Sequence, residues 1–190
     1  MWDMLCVMQL AQHLLTGIAE YHETSSTHYL ELLRDDNVMK NMTKEEMDHL
    51  LNTVGDGVMA LSSGDAPYCI PFGFVYLKEM VYLSLFPMGR KWEIINKNNR
   101  VCFNVFCWND DHSEWSSVVI DGRIVQVRDL QEIKLVVQAN IAKMGLDPAA
   151  YLDKRMAMYK KTIDNPAALK IFRIETERMG GKKMKTLIGS

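Results

Sequence analysis

The segment Tyr82–Trp92, with the sequence YLSLFPMGRKW, changes from the pattern of a strand to that of a helix. An apolar run over Val81–Phe86 predicts a β-strand, and the following Pro-Met-Gly sequence ends it. A short helix is then predicted over Arg90–Lys97. This helix therefore starts with two adjacent cations, Arg90 and Lys91, directly after a glycine.

The start of this predicted helix has the chemistry of an anion site. The first N–H groups of a helix lack partners within the helix and attract negative charge. The helix dipole disfavours cations at the same place, so an anion between the cations and the helix best explains them. Arg90 offers a planar fork and Lys91 a mobile point charge. We therefore predict a phosphate-monoester site at Gly89, Arg90 and Lys91. The alternative is a solvated Arg-Lys pair.

A second unusual strand precedes this segment. Tyr68–Tyr76 is mostly apolar but contains Pro71 and Gly73. Proline inside a strand indicates an edge or a bulge, and glycine indicates that another group approaches the backbone closely. Because this strand is predicted to lie beside Val81–Phe86, its surface at Gly73 has room for a flat aromatic ligand. The alternative is an ordinary barrel core with a glycine bulge.

The rest of the chain from Thr43 onward predicts an antiparallel sheet with helices. Thr43-Lys44-Glu45-Glu46 is a capping box that begins a helix. A bend or bulge is expected at Asp121-Gly122, with a hairpin turn as the alternative. The other predicted elements are the strands Val58–Ser62, Arg100–Trp108, Trp115–Val127 and Leu169–Thr176, the helices Leu130–Met144 and Asp147–Tyr159, and a basic tail at Gly180–Lys183. We therefore expect a mainly β fold with helices (α+β), a barrel of six antiparallel strands with helical decoration.

Residues 1–41 are predicted to form a helical extension to a domain at 42–190. A helical spacing relates Leu5, Met8, Gln12 and Leu15, and a short second helix is expected at Tyr29–Arg34. Asp3 stands where a signal peptide would carry a positive charge. No apolar run reaches the length of a transmembrane helix. We therefore expect a cytoplasmic protein without a membrane anchor.

Composition limits the classes of function. The chain has 190 residues, of which 48% are hydrophobic and 24% charged, and this is enough for one sizeable core. A formal charge of −2 argues against a nucleic-acid binder, which would carry a basic face. No metal-ligand spacing relates the four cysteines, and reduced thiols are expected for Cys6, Cys69, Cys102 and Cys107. His112 follows two aspartates, but three consecutive side chains of an extended loop do not converge on one ion, so no metal site is predicted.

Together these segments resemble the FMN-binding split-barrel family related to pyridoxamine 5′-phosphate oxidase, and within it the branch of the 5-nitroimidazole resistance proteins. The resemblance covers residues 42–184. It is carried by the order and spacing of the capped helix Thr43–Leu51 and of the segments Gly57–Leu61, Pro67–Tyr76, Val81-Tyr82, Gly89–Lys91, Arg100–Phe103, Ser117–Val119, Gly122-Arg123, Ile174-Glu175 and Gly181-Lys182. One departure is Ser84, where nitroimidazole-resistance members often carry a histidine. This departure weakens the transfer of nitroreductase activity, although not of flavin binding.

The resemblance implies a six-stranded antiparallel split β-barrel and a homodimer that holds two FMN molecules at its interface. Arg90 and Lys91 match positions that hold the FMN phosphate, and Ser117 matches a position near the flavin. The segments Pro71–Phe74 and Leu83–Phe86 match strands that run along the ribityl chain and the isoalloxazine ring. The cofactor-binding residues expected on this basis are Pro71, Phe72, Gly73, Phe74, Leu83, Ser84, Leu85, Phe86, Gly89, Arg90, Lys91 and Ser117.

The function expected from this resemblance is that of an FMN-dependent oxidoreductase. It would pass electrons from a nicotinamide donor to a small-molecule substrate, and neither nucleic acid nor a membrane is expected as a partner. Two alternatives stay open. One is a flavin-binding or flavin-storage protein without catalysis, and the other is a split barrel that binds haem or a deazaflavin. The sequence identifies no catalytic acid or base.

Overall fold

The computed structural model describes residues 39–185. The chain divides between Lys40 and Asn41 into two units, and the second unit contains the sheet. The helices predicted within residues 1–38 lie outside the described residues. Within the described part of the chain, no helix is long and apolar enough to cross a membrane.

The secondary structure of residues 39–185 comprises seven strands and four helices. In chain order these are β1 (Met39–Asn41), α1 (Lys44–Thr53), β2 (Asp56–Ser63), β3 (Ala66–Leu77), β4 (Met80–Leu85), α2 (Gly89–Lys97), β5 (Arg100–Trp108), β6 (Glu114–Gln126), α3 (Leu130–Lys143), α4 (Pro148–Thr162) and β7 (Lys170–Lys185). All the strands and helices predicted from Thr43 onward are present. Their bounds differ from the predicted ones mainly at the ends.

Six of the strands close into a ring. Hydrogen-bonded neighbours follow the order β4-β3-β2-β5-β6, and β7 pairs with β6 on one side and with β4 on the other. Every one of these pairings is antiparallel. The predicted fold class, a mainly β domain with six antiparallel strands and added helices, is therefore confirmed.

The capping box predicted at Thr43 begins α1. The Thr43 hydroxyl accepts a hydrogen bond from the Glu46 amide, and the Glu46 carboxylate accepts one from the Thr43 amide at 2.9 Å. The helix places Leu50 and Leu51 into the core. Both ends of the box are satisfied locally, which fixes where the helix begins.

The main core lies inside the ring, because apolar residues alternate along each strand. Met59, Phe103 and Ile120 are fully buried and lie side by side across β2, β5 and β6. Phe74 of β3 packs edge-on against Phe103, with ring centroids 5.4 Å apart. These aromatic and aliphatic side chains pack together on the inner side of the ring and hold the strands against one another.

A second core lies on the outer side of the ring, where α3 and α4 pack on β3, β4 and β7. Val75, Tyr82 and Ile171 point outward from these strands and are buried by the helices. The Tyr82 hydroxyl donates to Glu132 of α3 at 3.0 Å, and Arg173 of β7 forms an ion pair with the same carboxylate. Burial, together with this carboxylate, raises the pKa of Tyr82 to about 12. The phenol therefore remains a donor across the physiological range.

The irregularity predicted at Asp121-Gly122 is a bulge and not a hairpin turn. Pairing between β6 and β7 shifts register between Asp121 and Gly122, and β6 continues through it as one strand. A Cβ atom at Gly122 would lie 2.2 Å from the carbonyl oxygen of Glu175. The backbones of the two strands therefore approach so closely at the bulge that only glycine fits.

The basic tail predicted at Gly180–Lys183 is wrong. These residues belong to β7, which runs to Lys185 and pairs with β6 along its whole second half. Lys183 forms an ion pair with Glu46 of α1. The sequence pattern did not predict this half of β7 because most of its residues are polar. Only one side of the strand contacts apolar groups here.

Replacing Gly122 by Ala is expected to lower the free energy of unfolding by about 1–3 kcal/mol, because the added methyl group overlaps a backbone carbonyl that cannot move alone. Urea denaturation measures this change. Gly55→Ala is the matched control, since a Cβ there meets no atom within 4 Å. Equal unfolding free energies for the two variants would contradict the close approach at the bulge.

Candidate functional site

The first turn of α2 has open backbone donors and two cations. Met88 precedes the helix and provides no side-chain cap, and the first turn contains no acidic residue. Gly89 adopts a φ of 71°, a left-handed conformation that favours glycine. The structure therefore confirms the helix start predicted from the Gly-Arg-Lys sequence.

The two cations of this turn are held in different ways. The Arg90 guanidinium lies over the Tyr68 ring of β3, with its central carbon 4.5 Å from the ring centroid. The Lys91 ammonium donates to the Met88 carbonyl oxygen at 3.1 Å. Neither forms a salt bridge with any described carboxylate. An anion at this turn would thus meet open N–H groups and two uncompensated positive charges.

The strand residues predicted to line the site divide between two sides of the sheet. Side chains of Phe74, Leu83 and Leu85 lie in the core, and Phe72 is partly buried against it. At these positions only the backbone is left to face a ligand. Exposed positions among the predicted residues are Pro71, Gly73, Ser84, Phe86, Gly89 and Arg90.

Gly73 and Ser84 line one cavity of about 240 Å³, where the end of α3 meets β3 and β4. Asn140 and Lys143 of α3 complete its polar lining. A Cβ atom at Gly73 would make only ordinary contacts, the nearest being 3.5 Å from Asp56. The sequence did not indicate Asn140 or Lys143, because a lysine and an asparagine near a helix end are ordinary surface residues.

Ser117 of β6 is buried and points to the outer side of the ring. Asn104 of β5 donates through its side-chain amide to the Ser117 hydroxyl oxygen at 2.7 Å and to the Val118 carbonyl at 3.3 Å. Ser117 is therefore fixed by a partner that the sequence did not single out. The register of the two strands, which pairs Asn104 with Val119, brings them together.

The outer side of β3, β2, β5 and β6 carries few charges, and none of the helices within residues 39–185 packs on its centre. Across it, side by side, lie Pro71, Val58, Asn104, Val119 and, from β7, Gly180. Val119 keeps 39% of its surface exposed, and neighbouring Phe106 keeps 49%. We call the surface formed by these six residues the outer face. It offers a broad, flat and largely apolar surface to a ligand or another chain.

At one end of the outer face, an open cleft of about 410 Å³ is lined by Cys102, Asp121 and Arg178. Arg178 binds the Asp121 carboxylate at 2.6 Å and lowers its pKa. Burial raises the pKa of the Cys102 thiol, and Asp121 adds to the effect. Cys102 is thus a thiol at neutral pH and a poor nucleophile.

Trp92, His112 and the cysteines have surroundings that point to structural roles. Trp92 packs edge-on against Phe172 of the core, with ring centroids 5.8 Å apart. His112 stacks on Trp108 at the tip of the β5–β6 hairpin. Residues 39–185 contain no cluster of three or more histidine, cysteine, aspartate or glutamate side chains that could hold a metal ion. Cys69, Cys102 and Cys107 are free thiols.

Comparison with known proteins identifies the family model that fits this chain. The model described as pyridoxamine 5′-phosphate oxidase matches residues 43–183, which is most of the sequence. No curated protein matches the chain significantly.

Solved structures share the fold. An FAD-binding protein from Mesorhizobium loti is 24% identical, with a TM-score of 0.57, and the match covers 78% of this chain and 98% of that one. A candidate 5-nitroimidazole antibiotic resistance protein from Bacteroides thetaiotaomicron is 20% identical, with a TM-score of 0.58 and coverage of 76% and 88%. The FAD-binding protein from Mycobacterium smegmatis is 15% identical, with a TM-score of 0.55 and coverage of 77% and 99%. These likenesses show that the ring of six strands is of the split-barrel type.

Proposed function

The chain belongs to the pyridoxamine 5′-phosphate oxidase family, and from this premise we propose that it is a flavoprotein that binds FMN and passes electrons from a nicotinamide donor to a small substrate. The observation that carries the proposal is the uncapped start of α2, where Lys91 shares the first turn with Arg90 and Arg90 lies over Tyr68 of β3. Flavin-binding proteins among the structural neighbours support the choice of cofactor class.

The described residues fit a flavin mononucleotide at two separate points. The start of α2 suits a phosphate monoester, because it combines free N–H groups with a planar and a mobile cation. The exposed strip of β3 and β4 at Pro71, Gly73 and Ser84 suits a flat ring, because these three residues carry no charge and Gly73 has no side chain. FMN carries one phosphate monoester, which matches the two cations in the first turn of α2.

Within this proposal the protein binds and orients, while the cofactor supplies the redox chemistry. A flavin, when bound, accepts a hydride or electrons and passes them on. Arg90 and Lys91 hold the phosphate end, far from the reacting ring. The missing side chain at Gly73 leaves room for the flavin ring and for a planar partner stacked on it, and Ser84 offers a small hydroxyl beside them. We assign no side chain as a catalytic acid or base.

We also propose a homodimer in which the outer face of one protomer packs on that of its partner. Exposed apolar residues such as Val119 and Phe106 favour burial by another chain. A two-fold axis lets the same patch meet itself. The flavin would then lie at the border of this interface, where β3 meets the start of α2.

The absorbance spectrum of the purified protein tests the cofactor class directly. Flavin bands support the proposal, and a Soret band would instead favour haem, as in the heme-binding protein from Mycobacterium smegmatis that shares the fold at 13% identity. A colourless protein that takes up neither FMN nor FAD would contradict flavin binding.

Replacing Arg90 by Ala is expected to weaken FMN binding by about 1.5–3 kcal/mol, because a charge-assisted bond to the phosphate is lost. Titration calorimetry measures the change. Riboflavin, which lacks the phosphate, is the control ligand and should lose little affinity. Equal losses for FMN and riboflavin would show that Arg90 does not bind the phosphate.

Replacing Val119 by Glu is expected to convert the dimer to a monomer, because a charge would be placed at the centre of the proposed interface. Light scattering at fixed protein concentration measures the mass. Leu135→Glu is the matched control, since Leu135 of α3 is equally exposed, at 40%, but lies away from the outer face. A wild-type monomer with full flavin occupancy would refute the interface.

NADH or NADPH is expected to bleach the bound flavin under anaerobic conditions, and oxygen or a nitroaromatic compound to restore its colour. Gly73→Val should slow this reduction more than it weakens FMN binding, because the fold tolerates a Cβ there while a partner ring loses its space. Stopped-flow absorbance follows the bleaching. If a chemical reductant bleaches the flavin and neither nicotinamide does within minutes, a binding or storage role replaces the oxidoreductase.

A further inference from the structure

Lys143, the last residue of α3, reaches a junction of three elements. Its ammonium donates to the Val54 carbonyl oxygen at 2.8 Å and to the Phe74 carbonyl oxygen at 3.0 Å. The same nitrogen lies 4.4 Å from the centroid of the Phe74 ring. Two carbonyl dipoles and an aromatic face all favour the charged form of the amine. The position of this cation is therefore fixed by the fold.

Lys143 forms no ion pair with a carboxylate of the described residues. An ammonium group has three N–H donors, and two of them are used by the carbonyls. Within residues 39–185, no acceptor takes the third donor and no carboxylate lies within ion-pair distance. Partial burial lowers the pKa of Lys143, and the field of Asp56 acts in the opposite direction. An anionic group or a strong hydrogen-bond acceptor beside Lys143 would take its third N–H donor.

The cavity of about 240 Å³ beside Lys143 also contains Gly73 and Ser84, two positions proposed for the flavin ring. It is smaller than a typical ligand pocket of about 300–1,000 Å³, so it holds one edge of a larger ligand. Asn140 lines the same cavity, and its side-chain amide bonds no other described residue. An ammonium with one unused N–H donor and an unused side-chain amide thus meet at one end of the proposed ring site.

We infer that Lys143, with Asn140, binds the carbonyl-bearing pyrimidine edge of the flavin ring and favours its reduced form. This inference rests on the proposed function and deepens it by naming the residues that tune the ring. Reduction adds two electrons and one proton, supplied together as a hydride by the nicotinamide donor. The neutral ring system thereby gains one negative charge. A fixed cation at that edge stabilises the product more than the oxidised ring.

Replacement of Lys143 by Met in the FMN-loaded full chain tests this role. The equilibrium between oxidised and reduced flavin, measured against a redox dye of known potential, is expected to shift at least tenfold toward the oxidised form, which is about 30 mV for two electrons. Lys143→Arg should keep the equilibrium close to that of the wild-type chain, because it keeps the positive charge. Lys134→Met, on an exposed part of the same helix, is the matched control and should leave the potential unchanged.

A second variant keeps the two carbonyl bonds of Lys143 and so protects the fold. Asn140→Asp adds a negative charge to the cavity with little change in shape, and it is expected to shift the same equilibrium toward the oxidised form. Gln138→Glu, exposed on α3 and outside the cavity, is its control.

The outcomes separate this inference from the proposed function. A wild-type chain that binds no FMN overturns both. A wild-type chain that binds FMN, with Lys143→Met and Asn140→Asp both within twofold of its equilibrium, overturns the role of Lys143 and leaves flavin binding intact. If Lys143→Met does not fold, Asn140→Asp is compared with Gln138→Glu. An equilibrium for Asn140→Asp within twofold of the wild type then overturns the role of Lys143.

Discussion

Closure of the ring by β7 is the constraint on which the rest of the structure depends. A single strand pairs with β6 along one edge and with β4 along the other, so no edge of the six-stranded ring is left open. Over Phe172–Ile174 this strand pairs with both partners at once, and the bulge between Asp121 and Gly122 then shifts the register of its further pairing with β6. The missing side chain at Gly122 lets the Glu175 backbone approach.

Ring closure also separates the surfaces that serve structure from those available for binding. Inside, the register aligns Met59, Phe103 and Ile120 as one buried layer. Outside, α3 and α4 cover β4 and the end of β3, while no helix within residues 39–185 covers the centre of β2, β5 and β6. The cavity at Gly73 lies at the border between the covered and uncovered parts. A ligand placed at that border can touch both the helix and the open sheet.

The sequence predicted the fold well where a pattern is local. The capping box at Thr43, the strand Arg100–Trp108 and the helix after Gly89 are each determined by neighbouring residues, and the structure contains all three. The second half of β7 could not be predicted in this way, because its pairing with β6 is long-range and its residues are polar. For the same reason the sequence indicated the cationic turn but not Asn140 and Lys143, which reach the cavity only because α3 packs on β3.

The positive charges of the candidate site are positioned in two ways, by local sequence and by long-range packing. Arg90 and Lys91 are adjacent in sequence and belong to one helix turn, so their combined charge is a local property. Lys143 is held by carbonyl groups of Val54 and Phe74, which are far from it in sequence, so its charge is a property of the packed fold. A phosphate needs only the first kind of site, because open helix N–H groups already attract an anion. A redox ring needs the second kind, because its potential depends on a charge that stays fixed while its own charge changes.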